Sequence, residues 1–240
     1  MALLDIVIDV SDAQDQIDWP RVAAAGIKVA MIKATQGTSF TAHTWAANSA
    51  GANAARIAVI PYHFLIDADP AAQAAHFNSV ARLAPGAAYA LDWETPPASQ
   101  GQPASAAQAE AVGVTLTTTT ARKPLGYWGI TGSTPKAPDG SLMTPTAAMQ
   151  TWERWVPRYR EGAISDFRKM PSEFTTPFGP RGEPSVPGNF RFWQYTNGGS
   201  VDGIAIDQPA NRQNLTDRSV GSFDDAAAMV AWVTGTTPVA

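Results

Sequence analysis

The chain has 240 residues, of which 45 % are hydrophobic and 16 % are charged, so it is long enough and apolar enough to bury a large core. Its formal net charge is −4 and it contains no block of Lys and Arg residues, so we expect neither nucleic acid nor a membrane surface as a partner. The absence of cysteine excludes disulfides, thiolate catalysis and Cys-ligated zinc.

The N-terminus reads as a first strand rather than as a signal peptide. Residues 1–9 lack a basic segment, and Asp5 and Asp9 interrupt them before an apolar run of signal length is complete. No apolar stretch in the chain approaches the roughly 20 residues that are needed to cross a bilayer. The sequence therefore shows no recognisable signal peptide, and we expect residues 1–9 to form a strand.

The first hundred residues alternate strand-like and helix-like segments, which is the pattern of βα units around a parallel sheet. Asp18 and Asp69 each precede a helix with proline in its first turn, which predicts two capped helices. The strand-like segments are nearly continuously apolar, as strands covered on both faces are: residues 4–10, 27–34, 57–64 and 87–93.

The second half of the chain predicts fewer helices. Residues 103–121 are rich in Ala and indicate a helix, residues 123–130 indicate a fifth strand, and residues 224–233 indicate a terminal helix. Pro-, Gly- and Ser-rich segments at 132–145 and 163–188 read as long surface loops. Three short aromatic segments are candidates to close a barrel without full helices between them: residues 152–156, 189–195 and 201–207.

Four acidic residues stand at or near the C-terminal ends of predicted strands: Asp9, Asp92, Glu94 and Asp207. In parallel barrels the C-terminal strand ends form the active site, so acids from separate strands converge at one mouth. Asp92 and Glu94 share one strand face with Cα atoms roughly 6.6 Å apart. Two carboxyl groups at this spacing are within reach of one glycosidic bond.

Such a cluster suits glycoside hydrolysis. The reaction needs one protonated carboxyl group as acid and a negative group that stabilises an oxocarbenium-like transition state. Nearby like charges raise the pKa of one member, so the cluster would tend to keep Glu94 protonated near neutral pH. A lone Asp-X-Glu pattern is weak evidence, because acids at strand ends often only cap the next helix. The convergence of four acids favours catalysis.

Aromatic residues at strand ends are a second indication of a saccharide groove. Sugar rings stack on exposed aromatic planes, and we expect Tyr62 and Trp193 to be such contacts, whereas Trp93 could equally be buried. The three histidines lack metal-binding spacing. The sequence also lacks serine-hydrolase, P-loop and dinucleotide-binding motifs. We therefore expect no metal site.

A series of short motifs runs through the chain in a distinctive order: Ile8-Asp9-Val10-Ser11, Ile17-Asp18-Trp19, Lys33-Ala34-Thr35-Gln36-Gly37, Pro61-Tyr62-His63-Phe64, Leu91-Asp92-Trp93-Glu94, Gly126-Tyr127, Trp193-Gln194-Tyr195, and Gly203 before Asp207. Together they resemble glycoside hydrolase family 25, the N-acetylmuramidases also called Chalaropsis-type lysozymes, across essentially the whole chain. The resemblance implies an α/β fold with a single TIM-like barrel of the (β/α)5(β)3 type. It further implies one catalytic domain over residues 1–240 without a separate wall-binding domain.

The resemblance also implies an activity, which is cleavage of the β-1,4 bond between N-acetylmuramic acid and N-acetylglucosamine with retention. Matched by position, Glu94 would be the general acid/base, and Asp92 would attack or, as we expect, steady the substrate's assisting 2-acetamido group. Asp9 and Asp207 would tune these two acids and hold the sugar. The cleft would also be lined by Tyr62, Tyr127 and Gln36. The implied partner is the peptidoglycan glycan strand, bound by a monomer without metal or cofactor.

Two positions depart from the family pattern. Gln36 stands where the family usually has Glu, and the missing negative charge could lower the pKa of Glu94. Pro209 replaces a polar residue just after Asp207. A layout without signal peptide or wall-binding repeat is similar to phage endolysins, so we expect synthesis in the cytoplasm and action on the cell wall.

Two other functions fit the sequence less well. A non-catalytic saccharide-binding barrel of a phage or cell-wall protein would bind the wall without releasing reducing ends, and Gln36 keeps this alternative open. A chitinase-like enzyme would have acids two and five residues before Asp92, where Ala90 and Ala87 stand. The matched carboxylates favour a muramidase, because a binding protein has no need for a costly acid cluster.

Overall fold

The computed structural model describes residues 2–14, 16–129, 134–158, 190–204 and 216–236. Within these ranges one sheet contains nine strands: β1 (Ala2–Val10), β2 (Val29–Gln36), β3 (Phe40–Thr41), β4 (Ala58–Phe64), β5 (Ala90–Asp92), β6 (Leu125–Tyr127), β7 (Glu153–Pro157), β8 (Phe190–Gly199) and β9 (Thr216–Phe223). The same ranges contain five α-helices: α1 (Trp19–Ala24), α2 (Trp45–Ala54), α3 (Pro70–Ala81), α4 (Ala106–Thr120) and α5 (Ala226–Thr234).

Eight of the strands close into a barrel, and β3 is an extra strand paired with the end of β2. The order around the barrel is β1-β9-β8-β7-β6-β5-β4-β2, and β1 pairs with β2 to complete the ring. Neighbouring strands are parallel except for β9, which is antiparallel to both β1 and β8. The predicted α/β fold with a TIM-like barrel is thereby confirmed.

Side-chain capping explains where the helices begin. The Asp18 carboxylate accepts a hydrogen bond from the Arg21 backbone N–H, and Asp69 accepts one from Ala72 at 2.7 Å, each with proline in the first turn. Helix α4 begins with a capping box, in which Ser105 and Gln108 satisfy each other's backbone N–H groups. The two Asp caps confirm the helix starts predicted at these positions.

The closing strand is not where the sequence predicted it. The prediction of a strand over residues 201–207 is wrong where the structure describes this segment, because residues 202–203 form a turn and Ile204 makes only an isolated bridge with Ile17. Strand β9 closes the barrel instead. Its sequence, TDRSVGSF, contains no continuous apolar run and therefore gave no strand signal.

The period-two alternation of the strands positions the site. Inward-facing apolar residues such as Ala90 and Phe192 belong to the cluster that fills the barrel. Two residues further along the same strands, Asp92 and Gln194 share the inward face at the C-terminal mouth. The barrel therefore has an apolar base and a polar mouth. In the described part of the chain, no helix combines the length and apolar character needed to span a membrane.

Candidate active site

Four carboxyl groups converge at the C-terminal mouth of the barrel: Asp9 on β1, Asp92 at the end of β5, Glu94 two residues later, and Asp217 on β9. Asp9 and Asp217 are paired positions of neighbouring antiparallel strands. The electric fields of these carboxyls act on one another, since Asp217 influences Asp9 and Glu94, and Glu94 influences Asp92. The mouth of the barrel thus holds an acid cluster assembled from three strands.

Gln194 holds two of these acids in place from strand β8. Its Nε2 donates to both oxygens of Asp9, at 3.2 and 3.3 Å, and to Oδ2 of Asp217 at 3.1 Å. Its Oε1 accepts from the hydroxyl of Tyr127 at 2.9 Å. Because the Tyr127 hydroxyl engages the amide oxygen, the amide NH₂ group faces the acids.

Asp9 and Asp217 form a hydrogen-bonded carboxyl pair. Burial raises the pKa of Asp9 well above its usual value, and the charge of Asp217 raises it further. Burial raises the pKa of Asp217 to about 6, although its hydrogen bond with Asp9 opposes this rise. Two buried carboxyls this close cannot both be charged at low cost. Near neutral pH the pair therefore holds one proton, on Asp9, which donates to the Asp217 carboxylate.

Asp92 and Glu94 form the second pair. Burial raises the pKa of Asp92 well above its usual value, the charge of Glu94 adds to the rise, and Lys33 opposes it. Burial also raises the pKa of Glu94 to about 7, which Lys33 lowers and Asp217 raises. A carboxyl group that is half protonated near neutral pH can both donate and accept a proton, as a general acid/base must.

The residue between these two acids shows how the strand alternation separates them from the core. Trp93 is fully buried on the opposite face, where its Nε1 donates to the backbone oxygen of Ala104 at 2.7 Å. Because successive side chains alternate between faces, Asp92 and Glu94 lie together on the face opposite to Trp93, as predicted. Oδ1 of Asp92 is buried and has no hydrogen-bond partner among the described residues, so it is an acceptor that a substrate donor can satisfy.

Aromatic rings form the floor beneath the acids. The ring of Trp155 packs edge-on to Tyr62 at 5.9 Å between centroids and against Tyr127 at 4.3 Å. Burial raises the pKa of both tyrosines well above the usual value, and nearby acids add to the rise. Both phenols therefore stay protonated and retain their capacity to donate hydrogen bonds.

Most of the predicted site residues that the structure describes lie at this mouth. They are Asp9, Asp92, Glu94, Tyr62, Tyr127 and Gln36, the last of which accepts a hydrogen bond from Lys33 Nζ at 2.8 Å. Asp207 lies outside the described residues, so its predicted role stays a prediction. In the described part of the chain, no set of His, Asp and Glu side chains is arranged to hold a metal ion.

Trp193 requires a correction. Its ring is fully buried against Tyr195 and Val220, and its Nε1 donates to the backbone oxygen of Arg158 at 2.8 Å. Gln194 faces the barrel interior, so the period-two alternation turns Trp193 to the outside of the barrel. The prediction that its ring presents a face to the sugar is therefore wrong for this structure.

Asp217 and Gln194 are the site residues that sequence reasoning missed. Asp217 lies in a polar segment that did not read as a strand. Gln194 appeared only as the middle residue of an aromatic motif. The alternation of the segment shows that Gln194 faces opposite to its two aromatic neighbours, but the face that lies inward is fixed only by the register of β8.

Comparisons with known proteins point to one family. The model of "Glycosyl hydrolases family 25" matches residues 8–204. The autolytic lysozyme of Clostridium acetobutylicum is 34 % identical over 88 residues, which are 36 % of this chain and 27 % of that protein. The match therefore spans about a quarter of this relative's length.

Solved structures share the fold. The lysozyme from Streptomyces coelicolor superposes with a TM-score of 0.67 at 22 % identity, covering 98 % of both chains. The muramidase from Acremonium alcalophilum gives a TM-score of 0.64 at 22 % identity, covering 95 % of this chain and 98 % of that one. The catalytic domain of an endolysin from a Listeria monocytogenes bacteriophage gives 0.64 at 16 % identity, covering 98 % of each.

Proposed function

The chain belongs to glycosyl hydrolases family 25, and from this premise we propose that it hydrolyses the β-1,4 bond between N-acetylmuramic acid and N-acetylglucosamine in peptidoglycan. The observation that carries the proposal is the acid cluster, in which burial brings the pKa of Glu94 to about 7. Crowding buried carboxyls costs folding free energy, and a protein that only bound saccharide would gain nothing from it.

Glu94 acts as the general acid/base. Its protonated form donates to the glycosidic oxygen, so the N-acetylglucosamine residue leaves as an alcohol. The resulting carboxylate then accepts a proton from the water molecule that completes hydrolysis. One residue performs both steps because its pKa lies near neutrality, where both protonation states are populated.

Asp92 assists through the substrate's own 2-acetamido group. The acetamido oxygen attacks the anomeric carbon of the muramyl residue as the leaving group departs, and its N–H donates to the free Oδ1 of Asp92. This hydrogen bond favours the charged form of Asp92, which in turn favours the proton on Glu94. Water then attacks the anomeric carbon from the face that the leaving group vacated, as the bond to the acetamido oxygen on the opposite face breaks. These two successive inversions leave the product with its original anomeric configuration.

Asp9, Asp217, Tyr62 and Tyr127 complete the pocket around the reacting sugar. The Asp9–Asp217 pair retains one negative charge near the mouth, which favours positive charge as it develops on the sugar ring. The Tyr62 phenol supplies a donor beneath it, whereas the Tyr127 hydroxyl donates to Gln194 and fixes the amide that holds the acid pair. For Asp207 we retain the proposal that it contributes to sugar binding.

The proposed setting is the bacterial cell wall. Relatives described as an autolytic lysozyme and as an endolysin support action on peptidoglycan glycan strands during lysis. We expect the chain to work there as a monomer after synthesis in the cytoplasm. A non-catalytic saccharide-binding barrel would bind the same strands without cleaving them, so released reducing ends separate the two functions.

Product analysis tests the proposed reaction directly. Purified peptidoglycan is digested, reduced with borohydride and analysed by mass spectrometry, and the anomer formed first is followed by NMR. We expect the new reducing end on N-acetylmuramic acid and the β-anomer as the initial product. New ends on N-acetylglucosamine, or no new ends, would contradict the proposal.

The charge of Asp217 is expected to set part of the alkaline limb of the pH profile. Replacing Asp217→Asn removes a negative charge that raises the pKa of Glu94, so the acid loses its proton at lower pH. Above the midpoint each unit of displacement costs about tenfold in rate, because the protonated fraction falls by that factor. The measurement is kcat/KM between pH 4 and 9, where we expect the alkaline limb to move to lower pH. A limb that stays in place would show that Asp217 does not act on Glu94.

A further inference from the structure

A cavity of about 390 Å³ opens beside the acid cluster, between the β2–β3 hairpin and the turn at Ala98–Gln100. Lys33, Gln36, Phe40 and Gln100 are among the residues that line it. Lys33 also interacts electrostatically with Asp92 and Glu94, so the cavity adjoins the site of bond cleavage. Its volume lies in the range of small-ligand pockets, so it can hold a substituent of a sugar that is bound at the acid cluster.

Lys33 provides the cavity with a positive charge that no carboxylate among the described residues pairs. Its Nζ donates to Gln36 Oε1 at 2.8 Å and lies 4.9 Å from the ring centroid of Phe64 and 5.6 Å from that of Phe40. In the part of the chain that the structure describes, no carboxylate oxygen lies at ion-pair distance from it. A half-buried ammonium group with one neutral acceptor retains donors for a ligand.

Because the side chain of Gln36 is a neutral amide, the positive charge of Lys33 remains available to a ligand. Gln36 Nε2 donates to Gln100 Oε1 at 3.0 Å, so its Oε1 faces Lys33. A carboxylate at this position would form an ion pair with Lys33 and neutralise it. The neutral amide keeps the lysine oriented and leaves its net charge intact.

The carboxylates near Lys33 are engaged elsewhere and do not take the place of a bound anion. Asp92 and Glu94 belong to the acid cluster, and Asp12, which lines the same cavity, is already engaged. The Asp12 carboxylate accepts from the Thr44 backbone N–H at 3.1 Å and hydroxyl at 2.7 Å, and His43 Nδ1 lies 3.2 Å away. These contacts all involve Oδ1 of Asp12, and the Asp12 charge also acts on Lys33 without forming an ion pair with it.

We propose that this cavity binds a carboxylate on the 3-O-lactyl arm of the muramyl residue, with Lys33 pairing the carboxylate and the exposed ring of Phe40 contacting the apolar part. The proposal rests on the proposed muramidase function. Phe40 is 47 % exposed at the rim of the cavity, where it offers an apolar wall to a methyl group. The carboxylate belongs either to a free lactyl group or to the first residues of an attached peptide.

Binding measurements in a Glu94→Gln background test the proposal without cleavage of the ligand. Calorimetry compares three muramyl oligosaccharides that differ only at the lactyl group: a free carboxylate, the matching primary amide, and a dipeptide that carries its own carboxylate. We expect the better carboxylate ligand to bind about tenfold more tightly than the amide, which is the scale of one hydrogen bond to a charged group. Which of the two carboxylates binds more tightly identifies the source.

Substitutions at two positions provide the controls. Lys33→Met should reduce the carboxylate-to-amide affinity ratio to about one, whereas Lys33→Arg should keep most of it. Gln36→Glu should reduce the ratio while leaving Lys33 in place, because the new carboxylate competes for the ammonium. Comparing ratios cancels any general effect of a substitution on sugar binding.

An equal affinity of the Glu94→Gln protein for carboxylate and amide ligands overturns the proposal, as does a ratio that Lys33→Met leaves unchanged. Turnover by the unmodified protein is measured separately. Failure to cleave peptidoglycan would refute the proposed function, whereas the affinity ratio judges the cavity alone.

Discussion

Replacing Glu94→Gln is expected to lower kcat on peptidoglycan by at least roughly 10²-fold while leaving glycan affinity nearly unchanged. The amide keeps the size and polarity of the side chain but cannot donate a proton to the leaving oxygen, and general acid catalysis contributes about 10²- to 10⁴-fold. The measurement is the release of reducing ends under saturating substrate, with binding of an oligosaccharide measured in parallel. The matched control is Glu110→Gln, since Glu110 lies on the outer helix α4.

The pH profile of the unmodified protein adds a second readout for Glu94. Burial raises its pKa to about 7, and the acid must be protonated to act, so activity should be present below pH 7 and decline as pH rises through it. The residual activity of Glu94→Gln should lose this alkaline limb. Equal lytic rates for the two proteins, or an unchanged limb, would remove Glu94 from the role of acid.

The sequence predicted the parts of the site that lie on buried parallel strands. Strands β1, β4 and β5 are mostly apolar, so an acid or a tyrosine near the C-terminal end stands out. Asp9, Tyr62 and Asp92 were identified in this way. The same reasoning gives the mouth of the barrel as their meeting place, because parallel strands share one C-terminal edge.

The antiparallel strand β9 escaped prediction for a physical reason. One of its faces contributes to the polar mouth, where Asp217 lies beside Asp9 and Ser219 accepts from Trp155 Nε1 at 3.2 Å. A strand that carries site residues has less need for apolar side chains on that face, so its hydrophobic pattern is weak. The polar site residues of β9 thus weakened the hydrophobic pattern by which a strand is recognised in a sequence.

Trp193 illustrates a different limit. Composition and position at a strand end both favoured a sugar contact, but a shift of one residue along a strand reverses the face to which a side chain points. The pairing of strands β7 and β8 has a register shift between Arg154 and Trp155. No local sequence pattern predicts this shift. The inward face of β8 therefore had to come from the structure.

Replacing Asp92→Asn is expected to reduce kcat by about 10²- to 10³-fold, which is the usual cost of removing one preorganised group that stabilises the transition state. Asn keeps the shape but cannot become the negative acceptor that polarises the acetamido N–H. The measurement is single-turnover cleavage of a defined muramyl oligosaccharide. Asp139→Asn in an exposed loop serves as the control.

The way in which Asp92→Asn fails also distinguishes the two roles open to Asp92. If the acetamido group is the nucleophile, a thiazoline analogue of the cyclised sugar should bind the unmodified protein at least roughly 10²-fold more tightly than the N-acetyl sugar, as transition-state analogues do. Asp92→Asn should lose most of this advantage, because the ring nitrogen of the analogue requires a charged partner. If Asp92 instead attacks the sugar, a covalent ester on Asp92 should be trapped by a 2-fluoro substrate, and the thiazoline should have no advantage. The buried and unsatisfied Oδ1 of Asp92 favours the first outcome, since an acceptor placed for an N–H is stabilised when that donor arrives.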